Sequence, residues 1–200
     1  MPHDAQWYRH LIAFAWLAWG TYWLIAASNN KATVRREPAA TRAAYVVPIL
    51  IGGLLIGLRD MPWSWLSVRL WPRSLAAYWT GMALILAGLS WSVWARVHLG
   101  RNWSGAVSVK EGHELIRSGP YAYTRHPIYT GVLTALLGTA LASGTVRAAL
   151  GMVIITAGFV GKLRLEERFM RETFPGEYLR YSAQVPALIP FARPRESAPR

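Results

Sequence analysis

Five apolar runs free of Asp, Glu, Lys and Arg dominate the chain: residues 11–27, 43–58, 74–95, 126–146 and 148–161. A membrane helix needs about 20 apolar residues, with a range near 17–25. The first three runs meet that length with a residue or two of slack. The last two are shorter and are separated by Arg147, with Ser143-Gly144-Thr145 reading as a tight turn. They are expected to form a helical hairpin. The alternative, helices buried in a soluble core, fits poorly with a charged fraction of 16%, because soluble domains carry about 25%. The fold class expected is therefore an all-α integral membrane protein with about five transmembrane helices. The first run is long, rich in Trp and Tyr, and lacks a clean A-x-A cleavage site, so a retained helix is expected rather than a signal peptide.

The basic residues orient these spans. With five crossings, loop 28–42, loop 96–125 and the tail from 162 share one side. They carry 4, 5 and 8 Lys or Arg, or 17 in all. The opposite side carries Arg9, Arg59, Arg69, Arg73 and Arg147, which is 5. Positive excess marks the cytoplasmic face, so the N-terminus is expected outside, with the third loop and the tail inside. The net charge of +12 then reflects orientation and attraction to anionic membrane lipids, not nucleic-acid binding. There is no cysteine, which excludes disulfides, thiolate metal sites and cysteine nucleophiles. Trp63, Trp65 and Trp71 read as an interfacial aromatic belt, with Trp7 and Trp23 as anchors of the first span. Gly52, Gly53 and Gly57 read as points of close helix packing.

Two segments are polar: residues 96–131 and 162–190. Both fall on the basic side and flank the hairpin, which would bring them together. In the first, Val107 and Val109 alternate with polar residues and suggest a brief strand. Gly119-Pro120 marks a turn. Arg125-His126-Pro127 opens a span, where proline is tolerated at the first turn and free N–H groups carry partial positive charge. His126 is then either a plain helix-start residue or a ligand contact. In the second segment, Glu166-Glu167 lies just past the last apolar run, with Lys162 four residues earlier and Arg164 and Arg168 nearby. Two readings are open there. One is an exposed ion-pair helix, and the other an anionic site for a cation such as a sulfonium. His98, His113 and His126 lack the spacing of a helical metal site, so no metal is expected.

These motifs together resemble a known family. Leu99-Gly100-Arg101-Asn102-Trp103-Ser104, His113-Glu114-Leu115-Ile116, Gly119-Pro120-Tyr121 and Arg125-His126-Pro127-x-Tyr129-x-Gly131 are similar to the core of the isoprenylcysteine carboxyl methyltransferases. Glu166-Glu167-Arg168, Phe174-x-x-Glu177-Tyr178-x-x-Tyr181 and Val185-Pro186-x-Leu188-Ile189-Pro190 resemble their tail. The phospholipid N-methyltransferases share the glutamate pair. The resemblance implies a multi-span fold whose cytoplasmic pocket, built by the loop before the fourth helix and the C-terminal tail, holds S-adenosyl-L-methionine. His113, Leu115, Ile116, Tyr121, Arg125, His126, Tyr129, Glu166 and Glu167 would bind it. Residues 1–95 would supply three helices and residues 96–200 the methyltransferase core, as one structural unit.

The resemblance also implies a lipophilic methyl acceptor, prenylcysteine-like or lipid. A carboxylate acceptor is ionised at neutral pH and needs a cationic anchor, for which Lys162, Arg164 and Arg125 are candidates. An amine acceptor would have to lose a proton, which Glu166 or Glu167 could take. The candidate catalytic residues are thus Glu166, Arg164 and Lys162. The rival outside enzymology, a scaffold or transporter subunit, would call for charged or broken helices at mid-membrane. The spans have no charge.

Overall fold

The computed structural model describes residues 6–28, 32–58, 62–110, 112 and 114–192. His113, Arg59, Met61 and the side chain of Trp7 lie outside the described residues. Each apolar run is a helix: α1 (Gln6–Ala26), α2 (Ala39–Gly57), α3 (Leu75–Leu99), α4 (Pro127–Ser143) and α5 (Val146–Thr173). A short α6 (Glu177–Gln184) follows. By length and composition α2, α3 and α5 can each cross a membrane, and α4, with 17 residues, is apolar but shorter. Large apolar side chains on α1 face outward, including Phe14, Leu17, Leu24 and Ile25. An apolar surface this extensive suits lipid rather than water.

Helix termini follow from local chemistry. Ser74 caps α3, its hydroxyl accepting from the Ala77 N–H at 3.0 Å. The Ser143-Gly144-Thr145 turn forms as expected: Gly144 ends α4 in the left-handed region, φ 62°, where a side chain would be strained. Two arginines take up C-terminal carbonyls that lack helical partners. Arg147 donates to the Leu55, Ile56 and Leu58 carbonyls at the end of α2. Arg96, buried, donates to the Ala26 carbonyl at the end of α1.

The short connection between α4 and α5 does not make them each other's main neighbours. Instead α4 packs along α3 and α5 along α2. Glycine permits both approaches. A Cβ on Gly88 would collide with the Gly131 carbonyl, and one on Gly81 would lie 2.5 Å from the Gly138 carbonyl. On the other pair, a Cβ on Gly52 would lie 2.5 Å from the Gly151 carbonyl, while Gly53 and Gly57 face open space. Between helices in lipid, close backbone contact of this kind drives association. Two indole N–H bonds fasten α1 to the bundle: Trp16 to Thr139 on α4 (3.1 Å) and Trp19 to Ser92 on α3 (2.8 Å).

The loops confirm which ends lie together. Strand β1 (Thr33–Arg36), between α1 and α2, pairs antiparallel with β2 (Ser108–Lys110), between α3 and α4. At the opposite end, Arg69 pairs with Thr145, bonded through Leu70 N–H to the Gly144 carbonyl and Val146 N–H to the Val68 carbonyl. Trp63 and Trp65 are exposed there, on and beside a single 3-10 turn (Ser64–Ser67). The 28–42 and 96–125 loops therefore share one face, as the alternation of spans requires.

Candidate active site

Helix α5 continues past its apolar stretch for three turns, and this extension carries Lys162, Glu166 and Glu167 to the face where β1 and β2 lie. Neighbouring residues on a helix diverge by about 100°, whereas i and i+4 share a side. Lys162 and Glu166 consequently face one cavity, and Glu167 turns towards the tail. Arg164 is exposed and does not border the cavity.

Glu167, 5% exposed, anchors the tail. Its Oε1 accepts from Arg125 Nε at 2.7 Å and Nη2 at 2.6 Å, and from the Tyr178 hydroxyl at 3.2 Å. Oε2 takes Arg171 at 2.9 Å. Arg125 in turn donates to the Ser182 and Val185 carbonyls. Backbone bonds continue the seam: Arg125 N–H to the Pro186 carbonyl and His126 N–H to the Ala187 carbonyl. Thr124 and Thr130 hydroxyls reach the Ala187 and Leu188 carbonyls, both at 2.6 Å. The two polar segments of the sequence are thus one folded block. Burial, and then the charge of Glu167, pushes the Tyr178 phenol up, so it remains a donor.

Glu166 is held from the cavity side. It accepts from the Tyr129 hydroxyl at 2.5 Å, lies 3.4 Å from His126 Nδ1 and 3.9 Å from Lys162 Nζ. The His126 ring stacks on Tyr129, centroids 5.6 Å apart and planes within 2°. Its Nε2 lies 3.3 Å from Glu167. Burial disfavours the imidazolium, but hydrogen bonds to Glu166 and Glu167 outweigh that and raise the His126 pKa. Lys162 donates to the Gly105 carbonyl at 2.9 Å and sits 5.5 Å from the ring centres of both Tyr45 and Tyr129. Gly105 belongs to the loop leading into β2, so this lysine draws that loop over α5.

The cavity encloses about 250 Å³. Leu115, Ile116, Tyr121, Arg125, His126, Tyr129, Lys162 and Glu166 border it; Glu167 does not. Arg125 is committed to Glu167 and the tail carbonyls, so Lys162 is the bordering cation with donor capacity left. Sequence reasoning missed several other walls. Trp19 and Trp23 of α1, Trp103, Phe159 and the tail tyrosines Tyr178 and Tyr181 all line it. Trp23, expected to anchor its span at the interface, instead meets Trp103 edge-on at 5.9 Å. The pocket is therefore built from α1 and α5 as well as from the loop and tail. Its wall combines apolar side chains (Trp19, Trp23, Val132, Phe159) with charged or ionisable ones (Lys162, Glu166, His126).

Comparison with known proteins decides the relationship. The model of the isoprenylcysteine carboxyl methyltransferase (ICMT) family matches residues 79–172, just under half the chain. Residues 79–172 are similar to this family. The matched segment runs from α3 through α5 and so includes Glu166 and Glu167. Protein-S-isoprenylcysteine O-methyltransferase B of Arabidopsis thaliana is 27% identical over 114 residues, covering 56% of this chain and 58% of that protein. The cobalt-zinc-cadmium resistance protein CzcN of Cupriavidus metallidurans is 27% identical over 146 residues, covering 72% and 60%. The structure of the eukaryotic intramembrane Ras methyltransferase ICMT superposes with a TM-score of 0.53 at 21% identity, over 76% of this chain and 50% of that one. The fold is thus the ICMT membrane fold. The chain spans about half to three fifths of the length of these relatives.

Proposed function

We propose that this chain is a membrane-embedded methyltransferase that uses S-adenosyl-L-methionine to methylate the carboxylate of a lipophilic, prenylcysteine-like acceptor. The observation that carries this is the make-up of one cavity: a fixed carboxylate, Glu166, a lysine ammonium, Lys162, and the indoles Trp19 and Trp23 of α1 all line it. Bound S-adenosylmethionine would supply a methyl group on a cationic sulfonium. A partly buried carboxylate favours a nearby cation, and Glu166 is kept in place by Tyr129, His126 and Lys162.

The work left to this chain is positioning. Glu166 would hold the sulfonium and Lys162 the acceptor carboxylate, and the donor would supply its methyl group to a carboxylate oxygen, leaving as a neutral thioether. No proton moves, so no general base is needed. Lys162 can hold the acceptor carboxylate by a charge-assisted bond, and Trp19 and Trp23 can take its apolar body. Holding two reactants aligned in a site of this kind can lower a barrier by about 7–11 kcal/mol. Loops 28–42 and 96–125 share one end of the bundle and carry a positive excess in the sequence, which supports reading the pocket as cytoplasmic.

The test is transfer of labelled methyl from S-adenosylmethionine in reconstituted vesicles. N-acetyl-S-farnesylcysteine should be methylated with base-labile label, and Lys162→Met should raise KM for it. Methylation of phosphatidylethanolamine instead would replace the carboxylate reading with an amine one, in which Glu166 accepts a proton. Well-folded protein that transfers methyl to neither would count against the activity.

A further inference from the structure

Glu37, 5% exposed, is a buried carboxylate with no part in the reaction proposed above. It stands one residue before Pro38, where α2 begins, and its N–H donates to the Val107 carbonyl at 3.0 Å. Its Oε1 accepts from the Tyr45 hydroxyl at 2.6 Å, while Oε2 is buried with no partner among the described residues. Burying a carboxyl group with one oxygen unpaired costs stability, and such an exception calls for an explanation. Packing does not supply one. The Tyr45 ring is buried in a cluster with Val107 and Phe169, and a phenylalanine would fill that space without a buried carboxylate. The explanation lies in what the ring carries: Lys162 Nζ sits over it, 5.5 Å from its centroid.

A lysine ammonium is a point charge on a flexible four-carbon stem, so a lysine that must meet a ligand at one place needs a guide. Here Nζ is held by the Gly105 carbonyl at 2.9 Å, by Glu166 at 3.9 Å, and over the faces of Tyr45 and Tyr129, each at 5.5 Å. An ammonium within about 6 Å of an aromatic face is attracted to it, more strongly when desolvated, and the Lys162 side chain is only 11% exposed. Tyr129 borders the cavity, whereas Tyr45 and Glu37 do not, so any effect these two have on a ligand passes through a neighbour. Glu37 fixes the far end of the phenol, and donation to a carboxylate polarises the ring that faces the ammonium. We propose that Glu37 and Tyr45 are positioning residues, which set the Lys162 ammonium where it meets the acceptor carboxylate. Both lie outside the segment matched to the ICMT family. The assignment rests on the methyltransferase reading with Lys162 as carboxylate anchor, and extends it to two residues that touch no reactant.

A mutant cycle on methyl transfer to N-acetyl-S-farnesylcysteine in reconstituted vesicles tests the assignment. Tyr45→Leu should raise KM about fivefold, the scale of one cation–π contact. The carboxylate loses its charge in the transfer, so Lys162 binds the substrate at least as well as the transition state, and kcat should not fall. S-adenosylhomocysteine affinity, measured by calorimetry in detergent, should be unchanged. In the Lys162→Met background Tyr45→Leu should leave KM where it is, because the ring has no ammonium to place. Glu37→Leu should raise KM in the same Lys162-dependent way, and Glu37→Gln, whose amide oxygen still accepts from Tyr45, should restore it. Tyr45→Phe, which keeps the ring and its packing, should give a smaller rise and runs the same cycle if Tyr45→Leu does not fold. An equal rise in both backgrounds would overturn the proposal in favour of packing, and so would a KM that none of these changes moves. If Lys162→Met itself leaves KM unchanged, the carboxylate-anchor reading fails and this pair fails with it. Well-folded wild type that methylates nothing refutes the methyltransferase reading as a whole.

Discussion

Replacing Arg125 by Met tests whether the Arg125–Glu167 pair holds the tail against the membrane helices. Arg125 gives Glu167 two contacts, at 2.6 and 2.7 Å, with side-chain exposures of 11% and 7%. In Arg125→Met the glutamate stays buried and keeps only Arg171, Tyr178 and His126. Removing one partner of a buried pair costs about 3–5 kcal/mol. Arg125→Met should lose that much, measured by equilibrium unfolding in mixed micelles. Glu167→Leu should lose a similar amount, because it strands the Arg125 charge beside two carbonyls. The double variant leaves no uncompensated charge, so its loss should fall short of the sum by about 2 kcal/mol, within the usual range for contacting residues. Losses that add to within about 0.5 kcal/mol would refute the reasoning, and the tail would then be held by its backbone seam at 185–188 alone.

Two further perturbations follow from the same geometry. His126 has a raised pKa in the folded protein, so its imidazolium contributes stability that is fully present below about pH 6.5 and is lost as pH rises through the raised folded value. Unfolding midpoints measured upward from pH 6.5 should fall, and His126→Gln should remove that part of the slope. Gly88→Val would drive a side chain into the Gly131 carbonyl; overpacking of this kind costs about 1–3 kcal/mol, whereas Gly53→Val, facing open space, should be neutral in the same melting assay.

Much of this architecture was readable in the residues because membrane physics leaves a coarse imprint. Charge-free runs marked the five helices, Gly144 marked the turn, and the 17-to-5 split of basic residues grouped loops that β1 and β2 do join. The different fates of Lys162, Arg164, Glu166 and Glu167 were latent in the 100° helical step: 162 and 166 share a face, and 164 points away. Helix partnership was harder to read. The contact glycines of α3, α4 and α5 all recur at a spacing of seven (81/88, 131/138 and 151/158), so spacing does not tell one partner from another, and short connections favour the wrong neighbour. Trp23 was misread for a related reason, since a tryptophan near a span end looks the same whether it meets headgroups or lines a cavity. The bond from Tyr45 to Glu37 and the ring's place under Lys162 could not be foreseen at all, because a contact between α2 and α5 depends on how the helices pair.

The central claim is that the cavity beside Glu166 receives S-adenosylmethionine, and direct titration of detergent-solubilised protein with that compound tests it. A single saturable site is expected, and Glu166→Gln, which keeps the side-chain shape but removes the charge facing the sulfonium, should weaken it more than it weakens the neutral thioether S-adenosylhomocysteine. Equal weakening of both would leave Glu166 as mere structure. No binding by well-folded wild type would contradict the account.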